Sequence, residues 1–274
     1  MDTAFSPASH PQTRLPLRSP LPHQGAASVQ QLEQRSFNAW PAPCNAVVGD
    51  WLLRSAGGYT KRANSANALQ PGAALTPQLL QQIEDHYARQ QLPSIFRLSP
   101  LADEGVDALL RANGYQVVDP SVFMQRATQP GDRHWQPAAD CSLRLDAQLP
   151  APWLEGYCAA SAHPPEQQRA HRLILQAMRM RCAYASLVHA GQVLAWGLAV
   201  LERDAVGLYE VLVHPGHRGQ GLGRQVVQGL LQWAGQQGAN HTDLQVRGGN
   251  APAQQLYASL GFAPVYGYHY RMKR

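Results

Sequence analysis

The sequence predicts a mixed α/β fold in which a mostly antiparallel central sheet is flanked by helices. Three observations carry this. From residue 142 onward the hydrophobic pattern reads strand, two helices, three strands, helix, strand, helix, strand. The three consecutive strands are joined by short turns, at Ala190–Gly191–Gln192 and around Arg203–Asp204, which makes them antiparallel neighbours. The strand–helix–strand step after Val213 demands a parallel pairing.

The elements follow in order. Residues 1–29 are rich in Pro, Ser, His and Gln without a helical or strand period, and read as a disordered leader. Val47–Val48 and Trp51–Leu52–Leu53–Arg54 read as short strands, with a turn at Gly57–Gly58. Thr76 caps a helix whose face holds Leu79, Leu80, Ile83 and Tyr87. Ser94 to Leu98 is a strand, and Asp103 to Ala112 is a helix closed by Gly114. Tyr115 to Val118 and Val122 to Met124 are strands. A polar stretch from Ala127 to Asp132, with Pro130 and Gly131, marks a boundary. The expected division is therefore a first domain over 30–127, a linker over 128–138 and a second domain over 139–274.

In the second half Ser142 to Leu145 alternates like a strand. Trp153, Leu154, Tyr157 and Cys158 share one helical face, and Glu166 to Met180 is the next helix. Strands over Cys182–Val188, Val193–Leu201 and Gly207–Val213 follow. A helix then presents Val226, Val227, Leu230, Leu231 and Ala234 on one face. Leu244 to Arg247 is a strand. The last helix carries Ala253, Leu256, Tyr257 and Leu260, Gly261 ends it, and Phe262 opens the final strand.

Bulk properties narrow the function classes. The chain has 274 residues, 45% of them hydrophobic, which suits two packed domains. Its formal charge of +5 is spread along the chain without a Lys/Arg block, which argues against direct nucleic-acid binding. Cys44, Cys141, Cys158 and Cys182 form no CxxC pair and no metal spacing, so no metal is expected and the thiols read as free. No basic n-region with an apolar run opens the chain, and no stretch approaches the roughly 20 apolar residues of a membrane span. A cytoplasmic protein, monomer or homodimer, without a membrane partner is expected.

The chemistry concentrates after the strand Tyr209–Glu210–Val211–Leu212–Val213. It runs through His214 and Pro215 into a glycine-rich loop, Arg218–Gly219–Gln220–Gly221–Leu222–Gly223–Arg224, which opens a helix. Glycines let backbone N–H groups approach a ligand, the helix N-terminus adds partial positive charge, and two arginines add formal charge. The loop reads as a polyphosphate site or, more plainly, a tight strand-to-helix turn. It lacks GK[ST] and fails GxGxxG, so neither nucleotide fingerprint applies. Farther on, Asn250 caps the last helix with Pro252 in its first turn.

Arg218–x–x–Gly221–x–Gly223 resembles the pyrophosphate loop of the GCN5-related N-acetyltransferases, the GNAT superfamily. Asn250–x–x–Ala253–x–x–Leu256–Tyr257–x–x–x–Gly261–Phe262 is similar to their second signature, and Val211 to Pro215 resembles the strand entering the loop. The resemblance covers Ser142 to the C-terminus. It implies an N-acetyltransferase that moves an acetyl group from acetyl-CoA to a primary amine by direct attack in a ternary complex. The acceptor is a small-molecule amine or a protein amine. An acyl-CoA-binding regulatory module without turnover is the alternative. Backbone amides of Arg218 to Arg224 would hold the CoA pyrophosphate, and Val211, Leu212 and Val213 the pantetheine arm. A backbone N–H there would polarise the thioester carbonyl. Asn250 would contact the CoA arm and Tyr257 would protonate the leaving thiolate. By spacing alone Tyr257 is an aromatic residue on an apolar helix face. Glu210 is the candidate general base, or else an exposed strand carboxylate. Where some family members carry a glutamate five residues before the asparagine, this chain has Gln245, which cannot act as a base. His214 and His217 read as loop residues. Tyr184 and Trp196 either line a cleft or pack in the core.

The first half shows a matching phrase. Leu109 to Val117 parallels Leu256 to Pro264, each running from a helix end through Gly-aromatic into a strand, 147 residues apart by 261 − 114. The first copy has Leu110 where the second has Tyr257, and it lacks the RxxGxG loop. It therefore resembles a degenerate GNAT-like half of a tandem protein. Trp51–Leu52–Leu53–Arg54 and Arg62–Ala63–Asn64–Ser65 resemble the opening of that half, whose expected role is to wall the acceptor cleft.

Overall fold

The computed structural model describes residues 26–273. Helix α1 (Ala26–Ala39) leads into strands β1 (Cys44–Val48), β2 (Trp51–Ser55) and β3 (Ala66–Ala68). Helix α2 (Pro77–Ala88), β4 (Ile95–Leu98), α3 (Glu104–Ala112) and β5 (Gln116–Ala127) complete the first half. The second half runs β6 (Cys141–Asp146), α4 (Ala151–Ser161), α5 (Pro165–Ala177), β7 (Arg181–His189), β8 (Gln192–Glu202) and β9 (Ala205–Val213). It ends with α6 (Leu222–Gln236), β10 (His241–Arg247), α7 (Ala251–Ser259) and β11 (Ala263–Met272). The second-half order is the one its hydrophobic periods predict.

The strands among the described residues join one sheet of 11, in the order β1-β2-β3-β4-β11-β5-β10-β9-β8-β7-β6. Pairings are antiparallel except β3 with β4 and β9 with β10. The expected mixed, mostly antiparallel sheet is thus present. The final strand β11 lies between β4 and β5 of the first half, antiparallel to both. In turn β5 lies between β11 and β10. Each half therefore completes its sheet with a strand of the other.

Helix α6 shows how one apolar stripe is placed. Val226, Val227, Leu230, Leu231 and Ala234 are all buried, a spacing that puts them on one face. Gly197 on β8 receives that face: a Cβ there would stand 2.7 Å from Val226 Cγ1 and 2.8 Å from Leu230 Cδ1. A second core cluster on α4 and α5 draws Ala39, Trp40, Tyr59 and Ala63 from the first half together with Trp153, Tyr157, Ile174 and Tyr209 from the second.

The structure departs from expectation in three places. Helix α1 begins at Ala26, inside the stretch assigned to a leader ending at 29; residues 1–25 of that leader lie outside the described residues. Its buried face mixes Val29 and Leu32 with Glu33 and Ser36, so its apolar period is masked. Glu33 is held by Arg97, whose Nε and Nη2 donate at 2.8 and 2.7 Å, and by the Tyr266 hydroxyl at 2.5 Å. Strand β3 is Ala-Asn-Ala and carries no β signature. Strand β5 is continuous through Pro120, because the pairing with β11 shifts register there and Asp119 takes φ 46°.

Candidate active site

The site begins with a break in pairing. Parallel contact between β9 and β10 runs from Ala205↔His241 to Leu208↔Leu244 and then stops. Strand β10 continues to Arg247 paired with β5, while β9 stays on β8. A wedge opens between them, and Val211, Leu212 and Val213 are only partly buried along it. The divergence has a local cause. Trp196↔Leu212 and Leu198↔Tyr209 leave Glu210 and Val211 together opposite Gly197, a β-bulge with Glu210 at φ 51°.

Beyond β9 the chain makes one 3-10 turn, Pro215–His217, with His214 Nδ1 accepting from the Gly216 amide at 3.3 Å. Gly219 and Gly221 take φ 78° and 77° with open space where a Cβ would sit, so backbone conformation alone selects glycine. Gly221 is the N-cap of α6 and has no side chain to cover the first-turn amides. Those amides and the helix dipole therefore face the loop side, an anion-binding arrangement. Arg218, Gly219 and Gln220 are exposed, Leu222 is buried, and Arg224 Nη2 donates to Ser259 Oγ of α7 at 2.5 Å. Gly223 is the meeting point. A Cβ there would lie 3.3 Å from Val213 Cγ2 and 3.6 Å from Leu256 Cδ2, so β9, α6 and α7 converge at it.

Asn250 is exposed and caps α7, its Oδ1 accepting from the Ala253 amide at 3.3 Å. Tyr257 is buried edge-on to Phe262, with ring centroids 5.9 Å apart. Burial pushes its phenol up to about 12, so it is protonated across the neutral range. Among the described residues its hydroxyl has no hydrogen-bond partner.

Glu210 is not an exposed strand carboxylate. Its side chain is 4% exposed, His171 Nε2 stands 3.3 Å from Oε2, and Arg62 Nη2 stands 4.0 Å from Oε1. Burial pushes the carboxyl up, but His171, the Tyr157 hydroxyl and Arg62 outweigh it and hold the group below the ordinary carboxylate range. His171 is fully buried against Tyr59 and Tyr157, at centroid distances of 4.7 and 5.1 Å. His163 stands 5.1 Å from Tyr59, its ring held below the usual histidine value by burial and by His171. His171 Nδ1, His163 Nδ1 and Trp196 Nε1 are buried without a hydrogen-bond partner among the described residues, and Glu210 Oε2 and His171 Nε2 face only each other, at 3.3 Å. Unpaired buried polar atoms are individually destabilising, which makes this cluster a candidate functional position.

Tyr59 and Arg62 of this cluster come from the first half of the chain, on the segment 56–63. Asn64 Oδ1 accepts from the Ala56 and Gly58 amides at 2.8 and 2.9 Å, and Nδ2 donates to the Tyr59 and Thr60 carbonyls at 2.7 and 2.9 Å. Buried Arg54 donates to the carbonyls of Arg62 at 2.7 Å and Phe37 at 3.2 Å, and to that of Trp40. The Arg54 and Asn64 singled out in the sequence thus brace the loop that delivers Tyr59 and Arg62.

Sequence reasoning missed His171, Tyr59 and Trp40. The available signal was a histidine on the same α5 face as Ile174 and Leu175. Gln245 is committed elsewhere: Nε2 donates to Ser36 Oγ at 3.0 Å, and Oε1 accepts from the Tyr268 hydroxyl at 2.8 Å. Tyr184 and Trp196 pack in the core. One group of three possible metal ligands, Asp140, Cys141 and His189, occurs among the described residues, at the β6 edge of the sheet. Among them, too, no helix is long and apolar enough to cross a membrane.

A family model described as "Probable histone acetyltransferase Rv0428c C-terminal" matches residues 26–271. An uncharacterized N-acetyltransferase of Bacillus subtilis strain 168, YobR, is 28% identical over 248 residues, covering 90% of this chain and 99% of that protein. The [ribosomal protein bS18]-alanine N-acetyltransferase of Escherichia coli K12 is 34% identical over 76 residues, 28% of this chain and 51% of the enzyme. A GCN5-related N-acetyltransferase from Kribbella flavida superposes with TM-score 0.67 at 18% identity, over 90% of this chain and 95% of that one. A tandem GNAT protein from the clavulanic acid biosynthesis pathway superposes with TM-score 0.63 at 14% identity, over 88% and 86% of the two chains.

Proposed function

The chain belongs to the GNAT-type N-acetyltransferases, in the family whose model spans residues 26–271, and from that premise we propose that it transfers an acetyl group from acetyl-CoA to a primary amine by direct attack in a ternary complex. The observation that carries the reading is the convergence at Gly223 of the wedge strand β9, the uncovered N-terminus of α6 and helix α7. The fit to acetyl-CoA follows from chemistry. Amides at the start of α6, with Arg218 and Arg224, suit a pyrophosphate. The unpaired edge of β9 from Val211 to Val213 suits the amide-bearing pantetheine arm, and one of its N–H groups can polarise a thioester carbonyl. Asn250, at the head of α7, is the remaining contact proposed for the CoA arm.

When bound, acetyl-CoA supplies the activated acyl carbon. The acceptor nitrogen forms the new N–C bond and the C–S bond breaks. We assign Tyr257 to donate its phenolic proton to the departing sulfur, and Glu210 to receive the proton of the amine. An ordinary amine near pKa ~10 is about six units more basic than a carboxylate, so complete transfer before attack would cost about 8 kcal/mol. Glu210 therefore holds the ammonium at rest; the neutral amine, formed when one proton passes to solvent, attacks, and Glu210 takes the second proton, directly or through water, as nitrogen becomes acidic on bonding to the acyl carbon.

We also propose that 30–127 and 139–274 are two copies of one domain, the first having lost the nucleotide loop. Their helix ends support this. Gly114 and Gly261 sit at φ 87° and 88°, and Tyr115 and Phe262 donate at 3.0 Å to the carbonyls of Leu110 and Tyr257, the same Schellman closure in each half.

The testing experiment is initial-rate kinetics of CoA thiol release with acetyl-CoA and amine varied together. Intersecting double-reciprocal lines are expected. Parallel lines would indicate an acylated enzyme and remove the direct-attack mechanism.

A further inference from the structure

The Arg62 side chain is held by packing and by charge without a hydrogen bond of its own among the described residues. Its guanidinium lies 5.1 Å from the Trp40 ring centroid and 5.4 Å from that of Tyr209, so it rests on aromatic faces. A guanidinium stacked this way keeps its N–H donors free in its own plane. Among the described residues those donors make no hydrogen bond; the nearest acid is Glu210 at 4.0 Å, and the Arg62 side chain is 23% exposed. Arg54, eight residues earlier, shows the contrast, with donors fixed on the backbone carbonyls of Phe37, Trp40 and Arg62. That bracing, with the four bonds of the Asn64 carboxamide, fixes the loop that presents Arg62. The site thus sets a planar cationic fork beside an anion whose Oε2 faces His171 Nε2 at 3.3 Å, next to the rings of Tyr59, Tyr157 and His171.

A ligand complementary to this pair carries an ammonium and a carboxylate a few ångströms apart. We propose, resting on the reading of Glu210 as the acceptor-side carboxylate, that the acceptor is an α-amino acid or a derivative that keeps its free carboxylate. The carboxylate takes the Arg62 fork in bidentate fashion, the amino group lies against Glu210, and the side chain packs on Tyr59 and Tyr157. The 4.0 Å between Arg62 Nη2 and Glu210 Oε1 suits groups separated by a single carbon. Transfer then yields an N-acetyl amino acid and CoA thiol. Acceptor choice becomes the property of the first half of the chain, which supplies Arg62, Tyr59 and Trp40.

The test is calorimetric titration of the full chain, saturated with CoA, using paired probes: phenylalanine against phenethylamine, lysine against 1,5-diaminopentane, and 4-aminobutanoate as a spacer control. Arg62→Gln and Arg62→Lys are titrated in parallel, each first with CoA alone to establish that it folds and binds. We expect at least one α-amino acid to bind about 30-fold or more tightly than its decarboxylated partner. Arg62→Gln should erase that ratio and Arg62→Lys restore part of it. Equal or tighter binding of the decarboxylated amines, binding of 4-aminobutanoate as tight as that of the α-amino acids, or no binding of any α-amino acid while CoA binds normally, would overturn the proposal. Failure of the wild type to bind CoA would instead remove the acetyl-CoA reading on which it rests.

Discussion

At the residue scale the account turns on two groups whose environments drive them apart. Tyr257 is kept protonated by burial, at about 12, and Glu210 is kept ionised by His171, Tyr157 and Arg62 despite burial. Tyr257→Phe should therefore lower kcat by about 100-fold or more while leaving acetyl-CoA affinity within about twofold, measured by steady-state rates and calorimetry. With Tyr257 at about 12, the pH–rate profile should show no descending limb from this group below about pH 10. Because the folded-state value of Glu210 lies below its ordinary one, its charge adds stability above that ordinary value, and the contribution is lost as pH falls through the folded value. The stability gap between wild type and Glu210→Gln should accordingly be widest near neutral pH and narrow as pH falls through the folded-state value of Glu210, read by urea unfolding. Glu210 and Tyr257 were legible as candidates because they lie within or beside motifs. His171 and Tyr59 were not, since a histidine or tyrosine on an apolar face reads as packing until its unpaired neighbours are seen.

At the element scale the two helix ends make the sharpest comparison. Gly114 and Gly261 both take a left-handed conformation; a Cβ at Gly114 would meet nothing within 4 Å, and one at Gly261 would meet only Gln129 Nε2, at 3.7 Å. Alanine at either site should cost about 1–2 kcal/mol through backbone strain alone, and the two losses should match within about 0.5 kcal/mol in denaturant unfolding. A large difference would argue against equivalent closures. Helices α2, α3, α6 and α7 were legible because caps and apolar stripes coincide, with Thr76, Asp103 and Asn250 each accepting a first-turn amide. Helix α1 was not, because Glu33 and Ser36 occupy its buried face. Their partners, Arg97 and Gln245, are distant in sequence.

At the scale of the whole molecule the exchange of β5 and β11 decides behaviour. Residues 139–274 alone would leave β11 without β4 and β5, and β10 without β5. Expressed alone, that fragment should lack cooperative unfolding and aggregate through its open edges, while the full chain unfolds in one transition by both fluorescence and circular dichroism. Two separated transitions in the full chain would contradict this. The sequence carried the order of elements in the second half, since periodicity is local. It did not carry the exchange, because which strands become neighbours across 147 residues is settled by the shared core and not by either pattern.

The central claim is that the glycine loop and the N-terminus of α6 hold acetyl-CoA. The most direct measurement is calorimetric titration of acetyl-CoA into the wild type and into a Gly221→Asp/Gly223→Asp variant. The variant sets a carboxylate at the open, left-handed Gly221 by the expected pyrophosphate, and a second against Val213 and Leu256 where β9, α6 and α7 converge. The account predicts micromolar binding to the wild type and at least a 100-fold loss in a variant that remains folded. Equal affinity in both proteins would contradict it.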